Sequence, residues 1–195
     1  MPHEIRTSLP VEVRAAEDGT IKVSGYAAVF NEEADIGGYF REVILPGAFT
    51  EAISRDDVVF LVNHQGLPLA RTKSGTLILK QDERGLYMES ELDDSDPDVQ
   101  TIVPKMKRGD LNKMSFAFTA MVQEWDDTEE TPLRSIQEAK LHDVSIVTTP
   151  AYDGTDIGLR SLQEHRDKAS ESPLISSNTH LRIQKKKALI ESKAL

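Results

Sequence analysis

The chain of 195 residues has no cysteine, which removes disulfides, thiolate metal sites and a cysteine nucleophile from consideration together. It also has no apolar run approaching the roughly 20 residues that span a bilayer. The opening Met1-Pro2-His3-Glu4-Ile5-Arg6 shows no apolar h-region, so no secretory signal is expected. There is no internal repeat. Net positive charge is missing as well: the formal charge is −10, which argues against a general nucleic-acid binder. What is present is the balance of a folded protein. Hydrophobic residues make up 38% and charged residues 29%, and the length supports one domain with a substantial core.

The charge is unevenly placed. Residues 165–195 carry seven basic and three acidic side chains, a net +4, which leaves −14 on residues 1–164. An acidic body with a basic tail implies a two-part molecule, with a main domain over 1–164 and a flexible C-terminal tail over 165–195. The Ser-, Pro- and Asn-bearing stretch Ser170–Thr179 has the composition of a linker. His180–Leu195 is long enough for a short helix, which is marginal without tertiary support.

Along the body, Val11–Arg14 and Ile21–Ser24 alternate around Glu17-Asp18-Gly19, the pattern of a hairpin. Gly25–Phe30 extends the second strand, Asn31–Gly38 is a loop and Phe40–Leu45 is another strand. Pro46-Gly47 breaks the chain before a short helix over Ala48–Ser54. Val58–Val62 is an apolar strand whose exit holds Asn63-His64, with Gly66 and Pro68 forcing a turn beyond. Thr76–Lys80 and Leu86–Leu92 form a second hairpin. Asp96 is placed to cap a helix that starts at Pro97 and closes at Gly109, with Pro104 as a point of bending or splitting. A strand over Met114–Trp125, an acidic loop over Asp126–Thr131 and a long strand over Ser135–Val147 complete the body. Many short strands with one or two helices predict a β-rich α+β fold, a closed or nearly closed β-barrel with peripheral helices.

Candidate chemistry centres on Leu111-Asn112-Lys113-Met114-Ser115-Phe116-Ala117-Phe118. In a strand Met114, Phe116 and Phe118 share one face and Ser115 the other. Alone, such a serine is an ordinary strand residue. As a nucleophile it needs a base within hydrogen-bond reach and a group to orient that base. His64, at a strand exit, suits a base, though read alone such a histidine is more often an ordinary polar strand end. Asp143 lies in the apolar run Leu141–Val147 and needs a partner there, since an unpaired buried carboxylate is costly. A histidine N–H would serve.

Several strings occur in order: Gly25–Asn31, Pro46-Gly47-Ala48-Phe49, Asn63-His64, Ala70-Arg71-Thr72, Ser74–Leu77, Arg108-Gly109-Asp110, Met114-Ser115-Phe116, and Asp143–Val147 with Pro150-Ala151. No one of them is specific, but the ordered set resembles the prohead (capsid maturation) serine proteases of tailed bacteriophages, a family related in fold to the herpesvirus assemblins. The likeness runs from about Gly25 to about Tyr152. It implies His64 as base, Ser115 as nucleophile and Asp143 as third member. That family commonly carries Glu at the third position, so Asp143 is one methylene shorter. His142 is the rival by analogy with assemblins, and the turn Thr149-Pro150-Ala151-Tyr152 is the candidate source of oxyanion donors.

The resemblance further implies a serine endopeptidase that processes the phage major capsid protein or its scaffold (delta) segment, and itself, within the assembling procapsid in the host cytoplasm. No cofactor, metal, membrane or direct nucleic-acid partner is implied, and a homo-oligomer stays open. The acidic body suits a basic substrate, and the tail is a candidate self-cleaved or docking segment. Two other readings remain. One is a non-catalytic scaffolding protein of capsid assembly with a protease-like fold. The other, a metal hydrolase built on His64, His142 and Asp143, lacks clustered ligand spacing.

Overall fold

The computed structural model of the protein describes residues 3–10, 12–15, 21–148 and 155–171. The chain divides into two compact units, Met1–Ile157 and Gly158–Leu195. Among the described residues the first holds two sheets and the helices α1 (Thr50–Arg55) and α2 (Pro97–Arg108). The second is entered by a helix, α3 (Thr155–Glu171), with an i,i+4 bond from Gln163 Nε2 to Asp167 Oδ1 at 2.8 Å. No helix is expected there from the sequence. The anticipated linker, the short helix over 180–195 and most of the basic tail lie outside the described residues.

The smaller sheet follows the sequence pattern closely. β2 (Glu12–Ala15) and β3 (Ile21–Val29) form the first hairpin, and β8 (Leu77–Gln81) and β9 (Gly85–Leu92) the second. β3 and β9 join them, giving the antiparallel order β2-β3-β9-β8. The join depends on a glycine. A Cβ at Gly85 would sit 2.0 Å from the Ala28 carbonyl oxygen, so no other residue lets these backbones approach so closely.

The larger sheet has seven strands. Its main path is β1 (Glu4–Pro10), β10 (Lys113–Asp126), β11 (Leu133–Val147), β5 (Phe40–Ile44) and β4 (Ala34–Ile36). One edge of β11 pairs with β10. The other edge takes two parallel partners in succession. Leu133–Ile136 pair with β5, and Asp143–Ile146 pair with β6 (Val59–Val62). β6 then turns into β7 (Gln65–Arg71). A strand with two neighbours on one edge forks the sheet. The expected closed or nearly closed barrel is accordingly not found among the described residues: β1 and β4 end one path, β2 and β8 the other. The fold is a β-rich α+β arrangement with one mixed and one antiparallel sheet.

α1 and α2 add side chains to the hydrophobic core. α1 (Thr50–Arg55) is short, with Ala52 fully buried. α2 (Pro97–Arg108) begins where Asp96 accepts the Asp98 N–H at 2.8 Å and ends at Gly109 with φ 87°. It buries Val99, Ile102, Val103 and Met106 as one face. Pro104 neither splits nor ends it. The core-facing row of β10 comes out as the alternation predicts. Met114, Phe116 and Phe118 are buried, Phe116 meeting Phe49 edge-on at 5.7 Å and stacking on Phe118 at 5.1 Å.

β1, β4 and β7 are absent from the sequence reading. β7 is the instructive one. Gly66 and Pro68 point to a turn, yet the turn lies two residues earlier, and both residues sit in a strand that pairs on one side with β6. Proline is tolerated there because an edge strand can spare its N–H.

Candidate active site

The position of His64 comes from a two-residue hairpin. Val62 pairs with Gln65, leaving Asn63 and His64 at φ 51° and 57°. Positive φ at both central residues is the signature of a type I′ turn, which matches the twist of the flanking strands. Each non-glycine residue in this region costs on the order of 1–2 kcal/mol. Asn, and to a lesser degree His, tolerate it better than most. The turn is also tethered to β11. The Asn63 N–H donates to the Ile146 carbonyl at 2.9 Å, Thr148 N–H donates to Asn63 Oδ1 at 3.1 Å, and His64 N–H donates to Ser145 Oγ at 3.2 Å.

Register does the rest. Ser115 on β10 faces Ser145 on β11, and Ala117 faces Asp143. On the far edge Ser145 faces Leu61 of β6 and Asp143 faces Val59. The hairpin following β6 therefore brings His64 back to the line joining Ser115 and Asp143. His64 Nε2 lies 2.7 Å from Ser115 Oγ, and His64 Nδ1 lies 2.6 Å from Asp143 Oδ1. All three side chains are almost withdrawn from solvent: those of His64 and Asp143 are each 8% exposed, and Ser115 is fully buried. Three residues 51 and 28 positions apart in sequence thus form one hydrogen-bonded chain.

His142 is not brought to them. Its Nε2 bonds Thr119 Oγ1 at 2.8 Å, and its ring lies 5.2 Å from that of His3. Adjacent strand residues face opposite ways, so Asp143 and His142 serve different surroundings. Burial, together with His3 and Lys140, lowers the proton affinity of His142 below the ordinary imidazole range. Among the described residues no group of three or more His, Cys, Asp or Glu is clustered to hold a metal. The turn Thr149–Tyr152, the expected source of oxyanion donors, lies outside the described residues.

Two features of the site were missed by sequence reasoning. The first is Ser145, fully buried, whose Oγ donates to Asp143 Oδ1 at 2.8 Å. Its shared face with Asp143 was legible from the alternation of β11, but nothing in the sequence pointed to a bond between them. The second is the carbonyl of Arg6, which accepts the Ser115 hydroxyl at 2.7 Å. It belongs to β1, antiparallel to β10 with Thr7 opposite Ser115. Ser115 has one hydroxyl proton and two acceptors, Arg6 O and His64 Nε2. With a protonated imidazole, Nε2 donates to Oγ and the hydroxyl proton goes to Arg6. With a neutral imidazole carrying its proton on Nδ1, the hydroxyl turns to Nε2.

The strand that carries Arg6 is fastened by a buried four-charge cluster. Arg6 donates to Glu42 at 2.6 and 3.0 Å and to Glu4 at 2.9 Å. Arg134 donates to Glu4 at 2.6 and 2.9 Å, to Glu42 at 2.9 Å and to Gln123 at 2.6 Å. All four residues are 5% exposed or less. Burial works against the Arg6 charge, but Glu42 and Glu4 outweigh it and hold the guanidinium proton more tightly than usual. Two positive and two negative groups from β1, β5 and β11 cancel in the interior, which is the condition for tolerating them.

The sequence matches the family of caudovirus prohead serine proteases over residues 9–168. It is similar to the prohead protease of Enterobacteria phage HK97, with 29% identity over 168 residues, 80% of this chain and 69% of that protein. Among solved structures, the bacteriophage T4 capsid assembly protease aligns with a TM-score of 0.49 and 13% identity, covering 75% of this chain and 96% of that one.

Proposed function

The chain belongs to the caudovirus prohead serine proteases, and we propose that it acts as a serine endopeptidase that cuts capsid or scaffold protein, and itself, as the phage prohead matures. The observation that carries this reading is the continuous hydrogen-bonded chain from Ser115 through His64 to Asp143, at 2.7 and 2.6 Å, in a chain of that family.

In the proposed reaction the neutral His64 imidazole accepts the Ser115 proton at Nε2 while Oγ attacks the scissile carbonyl. Asp143 holds the Nδ1 proton, keeps the ring oriented and stabilises the imidazolium. His64 then returns the proton to the leaving amine, and water repeats the sequence to release the acyl group. General-base assistance of this kind contributes about 10²–10⁴-fold. The Arg6 carbonyl has a part in this cycle. It takes the serine proton when the imidazole is charged, so Oγ is an attacking group only after His64 has lost its proton.

Its proposed place of action is inside the assembling procapsid, where the acidic body meets basic stretches of the substrate. A non-catalytic scaffolding role predicts no cleavage at all. The deciding experiment is co-expression of the chain with its capsid protein, with and without Ser115→Ala, and mass measurement of the products. Shortened capsid protein with the parent chain and full-length capsid protein with the variant are expected. Equal processing by both would end the serine-protease reading.

A further inference from the structure

We propose that Ser145 is a positioning residue for the reaction, a hydroxyl that selects the working tautomer of His64; this rests on the reading of Ser115, His64 and Asp143 as the reacting set. Ser145 Oγ lies 2.8 Å from Asp143 Oδ1 and 3.2 Å from His64 Nδ1, and it accepts the His64 backbone N–H at 3.2 Å. It is fully buried, so water does not supply these bonds in its place.

Proton accounting assigns the role. A hydroxyl carries one proton and two acceptor lone pairs. An ionised carboxylate only accepts, so the Ser145 proton is committed to Asp143. Toward His64 the oxygen is then an acceptor twice, once for the backbone N–H and once for the ring. His64 Nδ1 thus faces two oxygens, Asp143 Oδ1 at 2.6 Å and Ser145 Oγ at 3.2 Å, and both ask it for a proton. The tautomer with a bare Nδ1 sets its lone pair against both. The proton stays on Nδ1, and Nε2 is left bare toward Ser115, as a base must be.

The same oxygen acts on the backbone. His64 adopts φ 57°, and the bond to its N–H ties that unusual conformation to the strand that carries Asp143. One side chain thereby fixes the base and its orienting carboxylate to each other. Ser115 and Ser145 are direct cross-strand partners, so nucleophile and positioning group are held by the same pair of strands.

The test uses the full chain and a fluorophosphonate that traps an activated serine covalently, read as maximal labelling rate and half-saturating concentration. Histidine-selective ¹⁵N spectra report which ring nitrogen carries the proton. Ser145→Ala is expected to lower the maximal rate by up to about 100-fold with half-saturation unchanged, the signature of a misplaced but still present base. Its His64 spectrum should show a mixture of tautomers where the parent shows the Nδ1 proton alone. Ser145→Thr, which keeps the hydroxyl, should recover most of both. If Ser145→Ala does not fold, Ser145→Cys keeps the size and weakens the donor, and should fall between parent and the loss expected for alanine. A parent protein that takes no label at Ser115 overturns the catalytic reading itself. Labelling of the parent that Ser145→Ala or Ser145→Cys matches in rate, with the tautomer unchanged, overturns the role of Ser145 alone.

Discussion

Replacing Arg134 by Met exposes how the interior carries its charges. Arg134 is 1% exposed and donates to both oxygens of Glu4 and to Glu42. Without it, two buried carboxylates share Arg6, and the cluster goes from neutral to one net negative charge. Methionine fills much of the volume, so the electrostatic loss dominates. Breaking a buried pair from one side costs about 3–5 kcal/mol, a large share of the roughly 5–15 kcal/mol that holds a domain folded. With a urea dependence of about 2 kcal/mol per molar, the midpoint should fall by about 2 M. Adding Glu4→Gln removes the surplus charge, so the double variant should be more stable than Arg134→Met alone. Glu4→Gln by itself leaves two guanidiniums on one carboxylate and should destabilise. This sign reversal is a coupling that only neighbours show. Urea titrations of all four proteins by circular dichroism measure it. A midpoint loss below about 0.5 M in Arg134→Met, or a double variant weaker than that single one, would refute the charge-balance argument.

At the proposed active site, Ser115→Ala and His64→Asn should each reduce processing by about 10⁶-fold, and together by no more than either alone, because the two act as a unit; asparagine is preferred to alanine at 64 since it accepts positive φ. Asp143→Asn keeps the shape but offers the wrong partner to Nδ1, and a loss of about 10⁴-fold in kcat is expected, whereas His142→Gln should leave processing intact; the reverse order in a cleavage assay would make His142 the third member. For stability against pH, folded His142 holds its proton less tightly than the ordinary value of 6.5 because of burial, His3 and Lys140. The unfolded chain therefore binds more protons just below that value, so stability falls as pH drops through it. His142→Gln should flatten that part of a midpoint-against-pH plot, and an unchanged slope would refute the assignment. If the tail is cut by the enzyme itself, incubated parent protein should lose mass within residues 162–193 while Ser115→Ala stays whole by intact mass spectrometry.

Patterns with a local cause were readable from the chain. The two hairpins of the smaller sheet, the caps of α2 at Asp96 and Gly109, and the core row Met114, Phe116 and Phe118 each follow from neighbours a few residues apart. The ordered strings around His64, Ser115 and Asp143 pointed to residues that come together in space. What escaped notice depends on distant partners. β1 carries Glu4 and Arg6, charged residues that look unsuited to an interior until Glu42 reaches Arg6 from 36 positions away and Arg134 reaches Glu4 from 130. β7 was hidden by Gly66 and Pro68, whose turn-forming tendency lost to pairing with β6. Ser145 gave no signal because a strand serine has no role until its register is known. The forked sheet, likewise, reflects the choice of β11 to pair with β5 and then β6, which no local pattern encodes.

That fork also sets an order in which the site comes apart. The amides of β11 between Asp143 and Ile146 are flanked by β10 on one edge and β6 on the other, so they should exchange with solvent deuterium only on deep unfolding. His64 sits instead on the turn of a hairpin whose outer strand, among the described residues, pairs only with β6. Brief excursions of the Asn63-His64 turn, with β6 left paired, need break only its few tethers to β11. They would separate His64 from Ser115 while Asp143, Ser145 and Ser115 stay locked in the sheet. Catalytic competence should thus fade at denaturant concentrations that leave the fold spectroscopically whole, the enzyme being switched off by a local fluctuation well before it melts.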